Sequence, residues 1–403
     1  MAHRRARWTS RKAVAPTVPR VSEPELAAAQ TTPRSHLYEI DVLRLLTFAC
    51  VIAVHTVNYI GGFGVVTDAL LTLLHFTRGA FFWLTAFVLT YGQLRRPRPL
   101  RRFWPRRFLL VGLPYVVWSG VYVFLNATIS DSLGDPIARL VDWGQALLRG
   151  DAAEQLYFLL VTMQVYLVIP AFIWAVRRFP EAHLLFLSVA FLVQGAVFWV
   201  ARYEPATVAW THGSLTSVFT SYLFFVVGGV VAGAHADAVL RWVRGHRVVL
   251  AVALTATAVL ALAVYALNRH IGLDLSDASD EMQPVQIVWS TVVTLALLSV
   301  GAWWADHRRP GSWDDRTLAW ASDRSFGIFL SHPAMITILL ALGITAPSNP
   351  TALRVPIAYV LVVIGAVVAT EAFRWTPLSL PLTGRPMVRR AREARVQPVG
   401  ENR

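Results

Sequence analysis

Ten stretches of this chain, roughly 40–60, 69–92, 107–127, 155–176, 184–201, 214–234, 248–267, 285–305, 323–343 and 355–373, are continuously apolar. Each is close to the ~20 residues that carry a helix across a bilayer. In hydrocarbon a backbone must satisfy its own hydrogen bonds, which leaves helices or a closed barrel, and segments this long read as helices. The expected fold class is therefore all-α, a polytopic integral membrane protein with about ten transmembrane helices. Composition agrees, since 55% of the 403 residues are hydrophobic and only 15% are charged.

The formal charge of +13 does not point to nucleic acid, because the basic residues sit in short clusters between apolar runs. With both termini on one side, the segments 1–39, 93–107, 177–183, 235–247, 306–324 and 374–403 hold thirty of the thirty-seven Lys and Arg. The other side holds five, namely Arg139, Arg149, Arg202, Arg269 and Arg354. That asymmetry predicts cytoplasmic termini. Residues 1–36 have no apolar run, so they are expected to be a disordered basic tail and not a signal peptide, and 376–403 a second basic tail. Arginine outnumbers lysine thirty-six to one, the bias of a GC-rich bacterial genome, and a bacterial plasma membrane is the expected location. The single cysteine, Cys50, excludes an intrachain disulfide and a Cys-based zinc cluster.

The first segment, Ile40 to Tyr59, carries Asp41 and Arg44 at its start and His55 near its far end. Ionisable groups within a span are costly and mark function. Arg44 and His55 are eleven residues apart, which returns them to within about 20° of one helix face, separated by about 16 Å along the axis. A cation thus stands at one end of a cavity wall and a base at the other.

Further polar residues fall inside spans. The second segment places His75 and Arg78 three residues apart on one face, seven to ten residues deep. Arg78 either serves a site or pairs with a carboxylate such as Glu154, while His75 either joins it or points to the interface. The fourth segment has Tyr157 and Gln164, of which Gln164 is also explained by interhelical hydrogen bonding. The ninth places His332 about ten residues in, just before Pro333, where it can also bond a carbonyl freed by the proline. The loop Arg95 to Arg107, with Arg106 and Arg107 at its end, is the densest basic cluster, suited to anionic headgroups or to drawing in an anionic cofactor. A short interfacial helix is expected near Ile137 to Leu148. No Walker A, G-x-S-x-G or H-E-x-x-H sequence occurs and no metal site is expected, so histidine as general base is the chemistry on offer.

These motifs together resemble the acyltransferase family 3 of membrane O-acyltransferases. Arg44 and His55 match its Arg-x10-His signature, preceded by Asp41. Phe81 to Phe87 is similar to its F-F-x-L-S-G-F region, with Thr85 and Ala86 where Ser and Gly are usual. Phe103 to Tyr115 resembles its basic re-entry, with Arg106, Arg107, Pro114 and Tyr115 in place. Tyr157 to Pro170 and Ser325 to Pro333 resemble its W-F-L…Q-x-Y-L-x-x-P and S-Y-G-I-Y-L-x-H-P stretches. Thr162 and Met163 stand where many members carry a glutamate pair, so the resemblance supplies no carboxylate there. The likeness covers about 37–375, and no fused domain is expected after the tenth segment.

The resemblance implies transfer of an acyl group, commonly acetyl, from cytoplasmic acyl-CoA to a hydroxyl of a glycan, glycolipid or other acceptor. Arg44 would meet the CoA phosphates and His55 the thioester, either as general base or as carrier of the acyl group. Arg78 or His75 would hold the acceptor or stabilise the oxyanion. The competing class is a transporter or exporter of a polysaccharide or small polar molecule, whose pathway the same residues would line. The lack of internal repeats weakens it.

Overall fold

The computed structural model describes residues 36–62, 64–130, 134–208, 211, 214–344 and 350–388. The expected N-terminal tail and residues 389–403 of the C-terminal one lie outside the described residues. Among those described, the chain is helical and has no β-strand. The helices are α1 (Tyr38–Ile60), α2 (Val65–Leu74), α3 (Phe76–Arg95), α4 (Leu100–Ile129), α5 (Pro136–Arg149), α6 (Leu156–Arg178) and α7 (His183–Tyr203). They continue as α8 (Leu223–Ala234), α9 (Ala236–Gly245), α10 (Arg247–His270), α11 (Val285–His307), α12 (Trp313–Ala341) and α13 (Thr351–Arg374). Among the described residues, nine helical stretches are long and apolar enough to cross a membrane, with α2 and α3 counted together as one. This is a multi-pass membrane protein.

The sixth expected span differs. Residues 214–222 form two short 3-10 turns, and the helix that follows bends by 96° between α8 and α9. In the 214–222 turns, side chains compete for the backbone. Ser221 Oγ donates to the Leu215 carbonyl at 2.7 Å, and Tyr222 donates to the Thr216 carbonyl at 3.0 Å. Gln164 of α6 holds the turn from outside, donating to the Ser217 carbonyl at 2.7 Å and accepting from the Phe219 amide at 3.0 Å.

Helix α1 lies at the centre, packed on α3, α11, α12 and α13, whereas α7, α10 and α13 turn most of their surface outward. Small residues allow close approach, as packing between membrane helices requires. Gly229 and Gly233, four apart on α8, lie against the α3 backbone at Trp83 and Phe87, and a Cβ at Gly229 would collide with the Trp83 carbonyl. Gly301 of α11 fits against Glu39 in the same way, which fixes the start of α1.

Ion pairs mark one face. Arg244 donates to Glu39 at 2.6 Å, Arg374 to Asp323 at 2.6 Å and Arg324 to Glu371 at 2.5 Å. The start of α1 and the end of α13 therefore share this arginine-rich face, while Arg354 reaches the Gly61 carbonyl on the other. The chain past α13 does not leave the bundle at residue 376. Ser379–Thr383 forms a short helix, and Trp118 donates to the Leu382 carbonyl at 3.0 Å. On the opposite face α5 is started by Asp135, whose carboxylate accepts from the Ile137 amide. It is ended by Gly150 at φ 77°, where a side chain would be strained. Its Ile137, Leu140, Val141 and Leu148 are exposed, as an interfacial helix requires.

Candidate active site

The α1 helix is unbroken from Tyr38 to Ile60, so the spacing of Arg44 and His55 read from the sequence is realised in the fold. His55 is only 4% exposed. Its Nδ1 lies 3.0 Å from Oε2 of Glu154, in the turn before α6. Burial acts to raise the Glu154 carboxyl. The neighbouring His55 and Arg78, with hydrogen bonds from His55 and Tyr59, outweigh it and hold the group below the usual carboxylate range. An ionised carboxylate can only accept, so His55 donates from Nδ1, and in the neutral ring Nε2 carries the lone pair of a base.

His332 faces this pair, its ring centroid 5.1 Å from that of His55. Pro333 has no N–H to give, which frees the Phe329 carbonyl four residues back, and His332 Nδ1 donates to it at 2.7 Å. Its Nε2 is buried and has no partner. A group able to donate a hydrogen bond is what that lone pair lacks.

Beside Glu154 opens a cavity of about 500 Å³, lined by Tyr59, Arg78, Glu154, Tyr157, Ser217 and Glu281 among others. Arg78 donates to Glu281, and its guanidinium lies over the Tyr157 ring at 5.1 Å from the centroid. Glu281 comes from the connection between α10 and α11, which folds back into the protein. His75 Nδ1 donates to the Ser279 carbonyl of this connection at 2.9 Å. Burial works against the Glu281 charge, but Arg78 and then His75 hold the carboxyl below its usual range. Beside it, burial and the charge of Glu281 push Asp280 up to about 7 against the pull of Arg202.

At the arginine-rich end, Arg44 lies 3.5 Å from Asp41, which also accepts from Ser322 at 3.1 Å. The Arg44 side chain keeps 28% of its surface exposed. Between this end and the histidines stands an aromatic layer. Phe48 meets Phe329 at 5.2 Å, and Phe81 meets Phe158 at 5.3 Å and Phe329 at 6.2 Å.

Glu154, Arg78 and Tyr157 line the cavity. His55 meets it through Glu154 and packs on His332, His75 is tied to the 279–281 connection, and Asp41 and Arg44 lie at the start of the helix that carries His55. Gln164 lies apart, with both ends of its amide on the 217–219 turn. Arg106 is exposed on α4, and Arg107 stacks over Phe103 at 5.9 Å, neither of them in contact with the histidines. Two acids of the cavity were not read as site residues in the sequence. Glu154 was considered only as a partner of Arg78, although an acid at the mouth of a span beside Gln155 and Tyr157 was a usable signal. Glu281 gave none, since its loop also holds Asp274, Asp277 and Asp280.

No curated protein and no solved structure matches the chain. The model of one family does, an acyltransferase domain aligned over residues 37–371. With most of the chain covered, the protein belongs to acyltransferase family 3 and is a membrane acyltransferase.

Proposed function

We propose that the protein moves an acyl group, acetyl by preference, from acyl-CoA on the arginine-rich side to a hydroxyl of a glycan, glycolipid or secreted metabolite in the opposite cavity. The observation that carries this reading is the contact of His55 with Glu154, whose side chain lines a polar cavity. Glu154 fixes the ring and its tautomer, and Nε2 removes the acceptor proton as the oxygen attacks the thioester carbonyl carbon. The tetrahedral intermediate collapses with loss of the C–S bond, and the thiolate leaves as CoA with the proton from His55. Arg78, anchored by Glu281 and Tyr157, has further N–H groups with which to hold the acceptor.

In this reading Arg44 binds a CoA phosphate, which is supported by the fit of its planar fork to that group and by its long 3.5 Å distance to Asp41. A pantetheine arm then runs past the aromatic layer for the ~16 Å to His55. That layer keeps bulk water from the thioester. In this arrangement the arginine-rich face is cytoplasmic, in a bacterial plasma membrane.

The test is release of free CoA by the purified protein. Acetyl-CoA alone should give little, and addition of a delipidated cell-envelope glycan fraction or a panel of methyl glycosides should raise the rate with label appearing in the acceptor. Label that moves nowhere with any acceptor, while a polar solute crosses vesicles containing the protein, would favour the transporter class.

A further inference from the structure

A second cavity, of about 480 Å³, lies on the arginine-rich face between the ends of α3, α4 and α6. None of its lining residues belongs to α1 or α12, so it is separate from the histidine site. Its floor is apolar, made by Phe103, Ile169 and Ile173, all buried. Its polar rim is Gln93, Arg177 and Arg178. Trp174 forms one wall and is itself 62% exposed, so the cleft opens sideways from the bundle. The ring of Trp174 meets Phe179 at 6.0 Å, and Arg178 lies over Phe179 at 5.3 Å, the aromatic and basic belt of a membrane interface.

The cleft is built into the fold. Pro170 on its wall has no N–H, which frees the Tyr166 carbonyl, and Trp104 of α4 donates to that carbonyl at 2.9 Å. The proline thus shapes α6 beside the cleft, and the tryptophan ties α4 to it.

We propose that this cleft is a site for one anionic phospholipid, its phosphate between Arg177 and Arg178 and one acyl chain on Ile173, Ile169 and Phe103. Charge complementarity selects the headgroup, and the nearby Arg96, Arg98, Arg101 and Arg102 add to the attraction. The sideways opening and the apolar floor select a chain. A CoA nucleotide would need partners for adenine and ribose, and the rim offers only one amide beyond its two guanidinium groups.

The experiment follows thermal unfolding of the purified full chain in detergent while dioleoyl phosphatidylglycerol is added. Phosphatidylglycerol should raise the midpoint, and neither phosphatidylcholine nor glycerol 3-phosphate should. The double variant Arg177→Ala/Arg178→Ala should weaken the phosphatidylglycerol effect about tenfold, as expected for a loss of about 1.4 kcal/mol. Ile173→Trp, which leaves both arginines and fills the floor, should weaken it as well. Arg309→Ala/Arg316→Ala, equal in charge on exposed residues that do not line the cleft, should not. Equal weakening by both double variants would reduce the effect to surface charge and overturn the proposal. A shift with glycerol 3-phosphate alone, or displacement of the lipid by CoA, would overturn it in favour of a free phosphate or donor site.

Discussion

The Nδ1 of His55 lies 3.0 Å from the Glu154 carboxylate, although 99 positions separate the two residues in the chain. The acid stands in the turn that leads into α6, and the histidine on the central helix, so the pair exists only once the bundle has closed. An acid paired with the ring nitrogen that faces away from the reaction both orients the ring and stabilises the imidazolium that forms.

Glu154→Gln should therefore lower the rate of acyl transfer by about 10²–10⁴, the range of a lost acid–base contribution. The KM for acyl-CoA should change little, because the residue lies far from Arg44. Steady-state rates at varied donor concentration check this, and a variant with normal turnover would leave Glu154 with a structural role alone.

The reach from Arg44 to His55 is tested by shortening the donor. Arg44→Lys keeps the charge and loses the bidentate fork, so acyl-CoA binding should weaken moderately, and Arg44→Ala should weaken it strongly. An acyl-pantetheine, with no distal phosphates, should be a poor donor for the wild type and lose little further in Arg44→Ala. Equal losses with both donors would make Arg44 a structural partner of Asp41.

Asp280 gives the pH dependence. Its carboxyl is pushed up to about 7 by burial and by Glu281, above the ordinary 3.8. A raised acid binds more protons folded than unfolded between those values, so its contribution is complete at low pH and fades as pH rises through about 7. Unfolding midpoints of the wild type should fall between pH 5 and pH 8 by more than those of Asp280→Asn. Parallel pH profiles for the two proteins would contradict the assignment.

Gly229→Ala should separate α8 from α3, since the added methyl collides with the Trp83 carbonyl. An overpacking cost of about 1–3 kcal/mol is expected. It should appear as a lower unfolding midpoint, and Gly92→Ala, where a Cβ meets nothing, should show no such loss beside it.

The sequence carried the spans and the α1 face well because both rest on period and length, which are local. It carried His332 partly, since Pro333 announces a freed carbonyl, and the unpartnered Nε2 beside His55 is visible only in three dimensions. Glu281 reaches Arg78 across 203 positions, from a loop in which nothing local sets it apart from Asp274, Asp277 and Asp280. The irregular 214–222 segment has a composition apolar enough to resemble the start of a span. Its Ser and Tyr hydroxyls bond the backbone, and Gln164 holds that turn, in keeping with the interhelical hydrogen bonding its place in the span allows.

The most direct measurement is the turnover of His55→Ala beside its affinity for acyl-CoA, in protein that inserts and unfolds like the wild type. The account predicts that CoA release driven by acceptor falls by at least about 10², the scale of a general base, while donor affinity set by Arg44 stays within about twofold. Turnover above a tenth of the wild type would contradict it, and the base would have to be sought elsewhere in the cavity.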